Sequence, residues 1–315
     1  MGRSKAAPKR RRDEDEHTAV RTAASNTIER LLQRHPDVNF AGIVEEAAVD
    51  VYRGKIGAWP TLNPSSTGIQ GLPESFRGLG RLTLTSSQFQ TLETLHETTK
   101  RLAQAWVSWS GDTSDTKKRA FGVLPGTLGY TEYQKLDIVT PWVKESEDLE
   151  TERRANQRAL VHLKESDMPP NLESTIGDIC NSMKRFVDPV YHPYLRYSHL
   201  MAAQPNLHCG RFLLPPHVDH PLKDGFGILI VTIAIRGDAD ILLESEVTAP
   251  VFGKLPLEQG QAYILSGNVR NKCTHGVLAG QPSSQRESLN LRFGLHSTST
   301  VPASEVLQYW DKGDA

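Results

Sequence analysis

Apolar positions recur at helical spacing in the first half of this chain and at strand spacing in the second. Ala24, Ile28, Leu31 and Leu32 share one helical face; after Pro36-Asp37, residues Phe40, Ile43, Val44, Ala47, Ala48 and Val51 repeat every three or four positions. Such a pair either forms a small partner-binding hairpin or packs on a main core, and the stripe favours packing. Gly54–Gly80 is rich in Gly, Pro and Ser and reads as loop. A longer helix is expected from about Ser86, with Phe89, Leu92, His96, Leu102, Trp106 and Trp109 on its core-facing stripe. His96 on that stripe reads as a packed histidine rather than a ligand. Ser110–Lys118 reads as a polar loop, Ala120–Leu136 as short strands and turns, and Lys144–Arg158 as a solvated helix face. A further helix over Ser174–Val187 should stop before Asp188-Pro189, because the residue ahead of a proline disfavours helical backbone.

After Pro193 the period changes. Tyr194–Ala203, Phe226–Ile235, Asp240–Leu243, Gln261–Ser266, Asn271–Val277 and Ser288–Leu295 are short apolar or β-branched runs between Gly, Pro and Asp turns. Strands in close succession without intervening helices predict an antiparallel sandwich or jelly roll rather than a parallel βαβ sheet. The expected class is α+β, with N-terminal helices packed on a jelly-roll core. The organisation predicted is a tail over residues 1–16, a helical and loop-rich region over 17–190, the core over 191–300 and a second tail over 301–315.

Composition narrows the classes. At 315 residues with 38% hydrophobic and 23% charged positions, the chain suits one large domain with appendages or two ordinary ones. A formal net charge of −1 gives no global pull toward nucleic acid or anionic lipid, so such a partner needs a local basic patch. No apolar run approaches the roughly 20 residues that span a bilayer, and no signal peptide is expected. Cys180, Cys209 and Cys273 are too scattered for a disulfide framework and read as reduced thiols. The first residues, "MGRSKAAPKRRRDEDE", hold nothing to bury and are expected to be disordered; "PKRRR" suits nuclear targeting or a solvated basic tail.

The candidate chemistry lies in "RFLLPPHVDHPLKDGFGILIVTIAI", Arg211 to Ile235. His217 and Asp219 are two residues apart, so on extended backbone an imidazole and a carboxylate share one face. Downstream, "GQAYILSGNVRNKCTHGV" reads as strand, turn and second strand carrying His275, which opposite edges of a jelly roll would bring over the pair. Two histidines and one carboxylate on one face of an octahedron leave three positions open, which suits non-haem Fe(II) and oxygen chemistry. Cys273, sharing the face of His275, leaves a His/Cys zinc site as the alternative. His220 and Asp224 stay outside the triad, since His220 should face away from His217. "RESLNLRF" (Arg286–Phe293) then carries Arg286 and Arg292 at an even offset on one face. Either they line the interior, where buried guanidiniums require an anion, or they lie on the solvent face of an edge strand; periodicity leaves both open.

The order His-x-Asp, distal His, Arg-x5-Arg resembles the AlkB-like family of Fe(II)/2-oxoglutarate-dependent dioxygenases. Asn206 stands eleven residues before His217, as the Asn of the family's Asn-x-Tyr does, and Gly260–Val277 is similar to the family's run through its distal histidine, with Gln261 in place of an acid. The likeness spans Asn206–Leu295. It implies a double-stranded β-helix core with Fe(II) on His217, Asp219 and His275. Arg286 would hold the far carboxylate of 2-oxoglutarate beside Ser288, with Arg292 and Asn206 at the end that chelates iron. His208 stands where the family has Tyr; imidazole still donates a hydrogen bond but is shorter and titratable.

The resemblance further implies that 2-oxoglutarate and O2 are consumed to succinate and carbon dioxide while an inert C–H is hydroxylated. An N-methyl group so hydroxylated is lost as formaldehyde, which makes oxidative demethylation of a modified DNA or RNA base the leading expectation. The family places its substrate lid ahead of the core, where Tyr130 and Tyr133 would stack on a base or be buried strand aromatics. TET/JBP-like oxidation of 5-methylcytosine, a protein or small-molecule hydroxylase, and a non-catalytic binding module are the rivals.

Overall fold

The computed structural model describes residues 59–64, 72–103, 107–108, 117–132, 160–208, 213–217, 227–245, 251–271, 273–279 and 285–294. Thirteen strands are assigned among them: β1 (Leu79–Thr83), β2 (Val107–Ser108), β3 (Lys117–Arg119), β4 (Phe121–Val123), β5 (Leu160–His162), β6 (Leu200–His208), β7 (Leu213–His217), β8 (Leu229–Arg236), β9 (Ala239–Ser245), β10 (Val251–Leu257), β11 (Gln261–Leu265), β12 (Thr274–Ala279) and β13 (Arg286–Phe293). Two longer helices are α1 (Ser86–Leu102) and α2 (Leu172–Met183). The result is a mixed α and β protein built on one large sheet.

The large sheet runs β1-β11-β8-β13-β6-β3-β2, with β4 beside β6 and β5 beside β4; the small one runs β10-β9-β12-β7. Apart from the parallel β4–β5 ladder, the strand pairs are antiparallel. From β6 onward the chain crosses repeatedly between sheets. Strands β6, β8, β11 and β13 enter the large sheet, while β7, β9, β10 and β12 enter the small one.

Alternation along β13 separates two faces. Leu289, Leu291 and Phe293 join Val231, Ile233, Ala262 and Ile264 in the cluster beneath the helices, which supply Leu92, Leu95, Ile176, Ile179 and Met183. Each such fully buried leucine contributes about 2 kcal/mol. Gly122 lets α1 settle closely, because a Cβ there would lie 2.9 Å from Thr99 Cγ2. The opposite face meets the small sheet through Leu79, Ala234, Tyr263 and Leu265 against Ile241, Leu243, Leu255 and Val277.

Several expected boundaries move, for physical reasons. Helix α1 starts on a capping box, Thr85 accepting from Gln88 N while Gln88 accepts from Thr85 N, but it ends at Leu102. Ala103 is extended, and Val107–Ser108 forms β2, so the predicted stripe does not continue as helix. Lys117–Arg119 is strand, not the end of a polar loop, and β1 occupies the end of the Gly54–Gly80 stretch. The Ser174–Val187 expectation is met by α2 followed by a 3-10 turn at Lys184–Phe186. Residues 189–194 and 197–199 are 3-10 turns, which delays β6 to Leu200. Strands β7 and β10 contain prolines (Pro215, Pro216 and Pro256) that hid them, yet both are edge strands, where a missing N–H is tolerated. The two early helical patterns, Tyr133, Lys144–Arg158, His220, Asp224 and both predicted tails lie outside the described residues.

Candidate active site

Along β13 and β6 the interior face of the large sheet is polar where most interiors are apolar. Arg286, Ser288, Asn290 and Arg292 alternate toward it along β13. Register places Ser288 opposite Asn206, itself opposite Arg119 of β3, and Ser288 opposite Ala234 on the other flank. Arg286 and Arg292 are 1% and 2% exposed. They are interior arginines, and the edge-strand alternative is thereby excluded. β13 is a central strand, between β8 and β6.

Arg286 is the anomaly. Its Nε and Nη2 have no hydrogen-bond partner among the described residues. Burial pushes the guanidinium below its ordinary value, and Tyr263 is the group that opposes the shift. An uncompensated buried charge costs several kcal/mol. A carboxylate would answer it, because two parallel N–H donors match two carboxylate oxygens.

Arg292 is held differently. Its Nε donates to Gln204 Oε1 at 2.8 Å, and Gln204 Nε2 donates to Asn206 Oδ1 at 2.7 Å. Asn206 Nδ2 donates to Ser288 Oγ at 3.4 Å and to the Gln204 carbonyl at 3.2 Å. Arg292 is paired in register with Ala202, so bonding Gln204 makes its side chain lean toward the Arg286 end of the strand. Six residues separate the two arginines by about 20 Å of backbone, and this lean shortens the gap between their guanidiniums.

His217 and His275 are directly opposite across the β7–β12 ladder, and Leu243 flanks His275 on the other side. The expectation that His275 approaches from an opposite edge is corrected. The histidines sit on neighbouring strands of the same sheet, where paired Cα atoms are about 4.5–5.5 Å apart. His275 is buried, and Leu243 and Val277, its inward neighbours, belong to the same cluster as Tyr263 beside Arg286. Asp219 lies outside the described residues, two positions beyond the end of β7. His208 is opposite Arg286 in register and extends β6 to the Arg286 end. The donor set of two imidazoles on adjacent strands plus a carboxylate suits Fe(II). Cys273 is buried and its Sγ lies 3.0 Å from the Ser75 carbonyl, to which an S–H donates.

The grouping of metal-type side chains found among the described residues is elsewhere: His96, Glu97 and Glu287. It lies on the opposite face of β13, beneath α1. Glu287 accepts from Lys100 Nζ at 2.8 Å, Arg236 Nη1 at 2.9 Å and Gln285 Nε2 at 2.7 Å. Two cations already neutralise that carboxylate, which makes the cluster an ion-pair network. His96 is the packed histidine the helical stripe predicts, with no exposure and ring nitrogens 3.4 and 3.5 Å from Glu97 and Glu287.

Tyr130 is half-buried against Val123, Leu128, Met201 and Ala202, with its ring edge-on to His162 at 5.9 Å. Gln204, Tyr263 and Arg119 escaped the sequence reading although all three occupy the interior face. Gln204 was within reach, since counting back two residues from Asn206 on a strand lands on the same face. Arg119, 2% exposed with its guanidinium 5.4 Å from the Phe121 ring centroid, falls between the loop expected over Ser110–Lys118 and the strands expected from Ala120.

No family model and no curated protein matches the chain. Similar solved structures include OsALKBH1, at 14% identity and TM-score 0.43 over 71% of this chain and 100% of that one. A 2OG-Fe(II) oxygenase family oxidoreductase from Burkholderia pseudomallei gives 14% identity and TM-score 0.40, over 76% of this chain and 99% of that one. A Pseudomonas putida prolyl-4-hydroxylase gives 10% identity and TM-score 0.38, over 69% and 92%.

Proposed function

We propose that the protein is an Fe(II)- and 2-oxoglutarate-dependent dioxygenase with a jelly-roll core, a reading supported by the repeated crossing of the chain between the two sheets from β6 onward. The observation that carries this reading is the buried guanidinium of Arg286 next to Tyr263, whose Nε and Nη2 have no hydrogen-bond partner among the described residues, in a fold whose small sheet pairs His217 with His275. His217, Asp219 and His275 would hold the metal. When bound, iron supplies the redox chemistry that couples 2-oxoglutarate and O2 to hydroxylation of a C–H bond. This chain's own residues bind and orient. Arg286 takes the far carboxylate, with His208 opposite it in strand register and Ser288 two residues on, and Asn206 and Arg292 stand toward the other end. Enclosure between two sheets keeps these charge-assisted bonds out of water, where they are stronger.

For the prime substrate we infer an N-methylated nucleic-acid base, released as formaldehyde and the bare nitrogen. The motif order His-x-Asp, His, Arg-x5-Arg with Asn206 in step supports it. Tyr130 and Tyr133 precede the β6–β13 strands in the sequence, and they are the aromatics we propose to stack on an extruded base. The test is succinate release from iron-loaded protein with methylated and unmethylated oligonucleotides, single- and double-stranded, at several salt concentrations. Acceleration by a methylated strand supports the reading; turnover of 2-oxoglutarate that no nucleic acid stimulates moves the substrate to a protein or small molecule. Absence of any 2-oxoglutarate binding sinks the oxygenase reading itself.

A further inference from the structure

Asn290 is the one member of β13 that is not fully buried, although the strand is central and this side chain faces the interior. Its register partners are Gln204 on β6 and Thr232 on β8, 0% and 4% exposed. Neighbouring strands cover the backbone on both sides, so the exposed part of Asn290 is side chain. Space wide enough for a water molecule therefore reaches between the sheets at this point. Its Oδ1 is nonetheless closed off from solvent and has no hydrogen-bond partner among the described residues. Buried polar atoms left in that condition are rare, because they give up water without a replacement. Gln204 does not answer it, since its amide bonds Arg292 Nε and Asn206 Oδ1. With the oxygen turned to the closed side, the NH2 of Asn290 is the end placed to meet a ligand, and an NH2 only donates. Along the same face Arg292 is two residues away and Arg286 four, about 7 Å and 13 Å of strand. Arg286 brings two open donors of its own, Nε and Nη2.

We propose that Asn290 is a co-substrate-binding residue, its Nδ2 donating to the chelating half of the 2-oxo dicarboxylate whose far carboxylate lies on Arg286; the inference rests on the dicarboxylate reading above and deepens it. That half of the ligand carries a ketone and a carboxylate, acceptors only, so a donor is the group it requires. A side chain serving packing alone would be apolar here, as Leu289 and Leu291 are on the opposite face of the strand. Leucine, close to asparagine in shape, removes the donor together with the unsatisfied oxygen. Aspartate keeps the shape and turns acceptors and a negative charge toward an anion.

The experiment compares wild type, Asn290→Leu and Asn290→Asp, all loaded with Mn(II) in place of iron. It measures 2-oxoglutarate binding by calorimetry, Mn(II) affinity, and thermal midpoint without 2-oxoglutarate. Asn290→Leu should bind 2-oxoglutarate about tenfold more weakly, from the loss of one hydrogen bond. Asn290→Asp should bind it about a hundredfold more weakly, because like charges then face each other. Mn(II) affinity should stay within about twofold. The ligand-free thermal midpoint of Asn290→Leu should hold or rise, since an unsatisfied buried oxygen is gone; a purely structural role would lower it. Wild-type 2-oxoglutarate affinity in Asn290→Leu would overturn the inference. So would a weaker affinity that comes with a lower midpoint and weaker Mn(II) binding. Asn290→Leu carries the test alone if the aspartate variant does not fold. A wild-type protein that binds Mn(II) but no 2-oxoglutarate would overturn the dicarboxylate reading and this inference together, whereas equal binding by wild type and Asn290→Leu would overturn this inference only.

Discussion

The two faces of β13 carry opposite solutions to one problem. Glu287 and Arg286 are adjacent, oppositely charged and 0% and 1% exposed. On the helix side Glu287 is surrounded by Lys100, Arg236, Gln285 and His96, and nothing more could be added to it. On the interior side Arg286 has two donors, Nε and Nη2, that no group among the described residues answers. A buried charge with a full set of partners serves the fold, whereas one with open donors is what the proposed dicarboxylate would answer. The register shift against β8 falls on the other side of Glu287, between it and Ser288, next to the anchored carboxylate.

Removing the anchored charge should have the largest effect. Glu287→Leu leaves Lys100 and Arg236 without their carboxylate, and breaking a buried pair costs about 3–5 kcal/mol. Those partners reach water, with side chains 24% and 49% exposed, which places the loss near about 3 kcal/mol. Urea denaturation at neutral pH measures it; a change under about 1 kcal/mol would mean the network contributes little.

Next is the ligand itself. At a hundred times its dissociation constant, 2-oxoglutarate should stabilise the metal-loaded protein by about 2.7 kcal/mol. Arg286→Met should abolish that gain, as a thermal-shift titration would show. In the ligand-free protein the same substitution should have the opposite sign to Glu287→Leu. It replaces an uncompensated buried charge by an apolar chain of similar length and should raise stability by about 1 kcal/mol or more. An Arg286→Met protein as unstable as Glu287→Leu would erase the difference between the faces.

This contrast also marks what the sequence could reveal. An offset of six gives Arg286 and Arg292 one face, but only the position of β13 between β8 and β6 makes that face interior. His217 and Asp219 could be found from local spacing, and His275 from motif order. That His217 and His275 are cross-strand neighbours depends on the β7–β12 register, and β7 was masked by Pro215 and Pro216 at a sheet edge. Long periodic segments such as α1 and α2 were legible because their packing stripe is written locally. The Glu287 network joins residues 96, 100, 236 and 287, so no local pattern announces it.

The finest probe of the anchored face is His96. Burial lowers its pKa, Glu287 and Glu97 opposing the shift and Lys100 adding to it. The folded state therefore refuses a proton that the unfolded chain accepts near pH 6.5. Below that pH the unfolded state binds more protons, and stability falls as pH drops, by at most about 1.4 kcal/mol per pH unit for one site. Above it the contribution is complete and flat. Glu97 is itself lowered, burial's upward push being outweighed by Lys100, so its titration falls on the acid side of this window. His96→Leu should match wild type near pH 8 within the small cost of a repacked side chain, then lose less stability between pH 6.5 and 5. Parallel curves across that range would mean His96 takes up its proton in place, with Glu287 as its counter-ion. The helix face of β13 would then hold a charged imidazole after all.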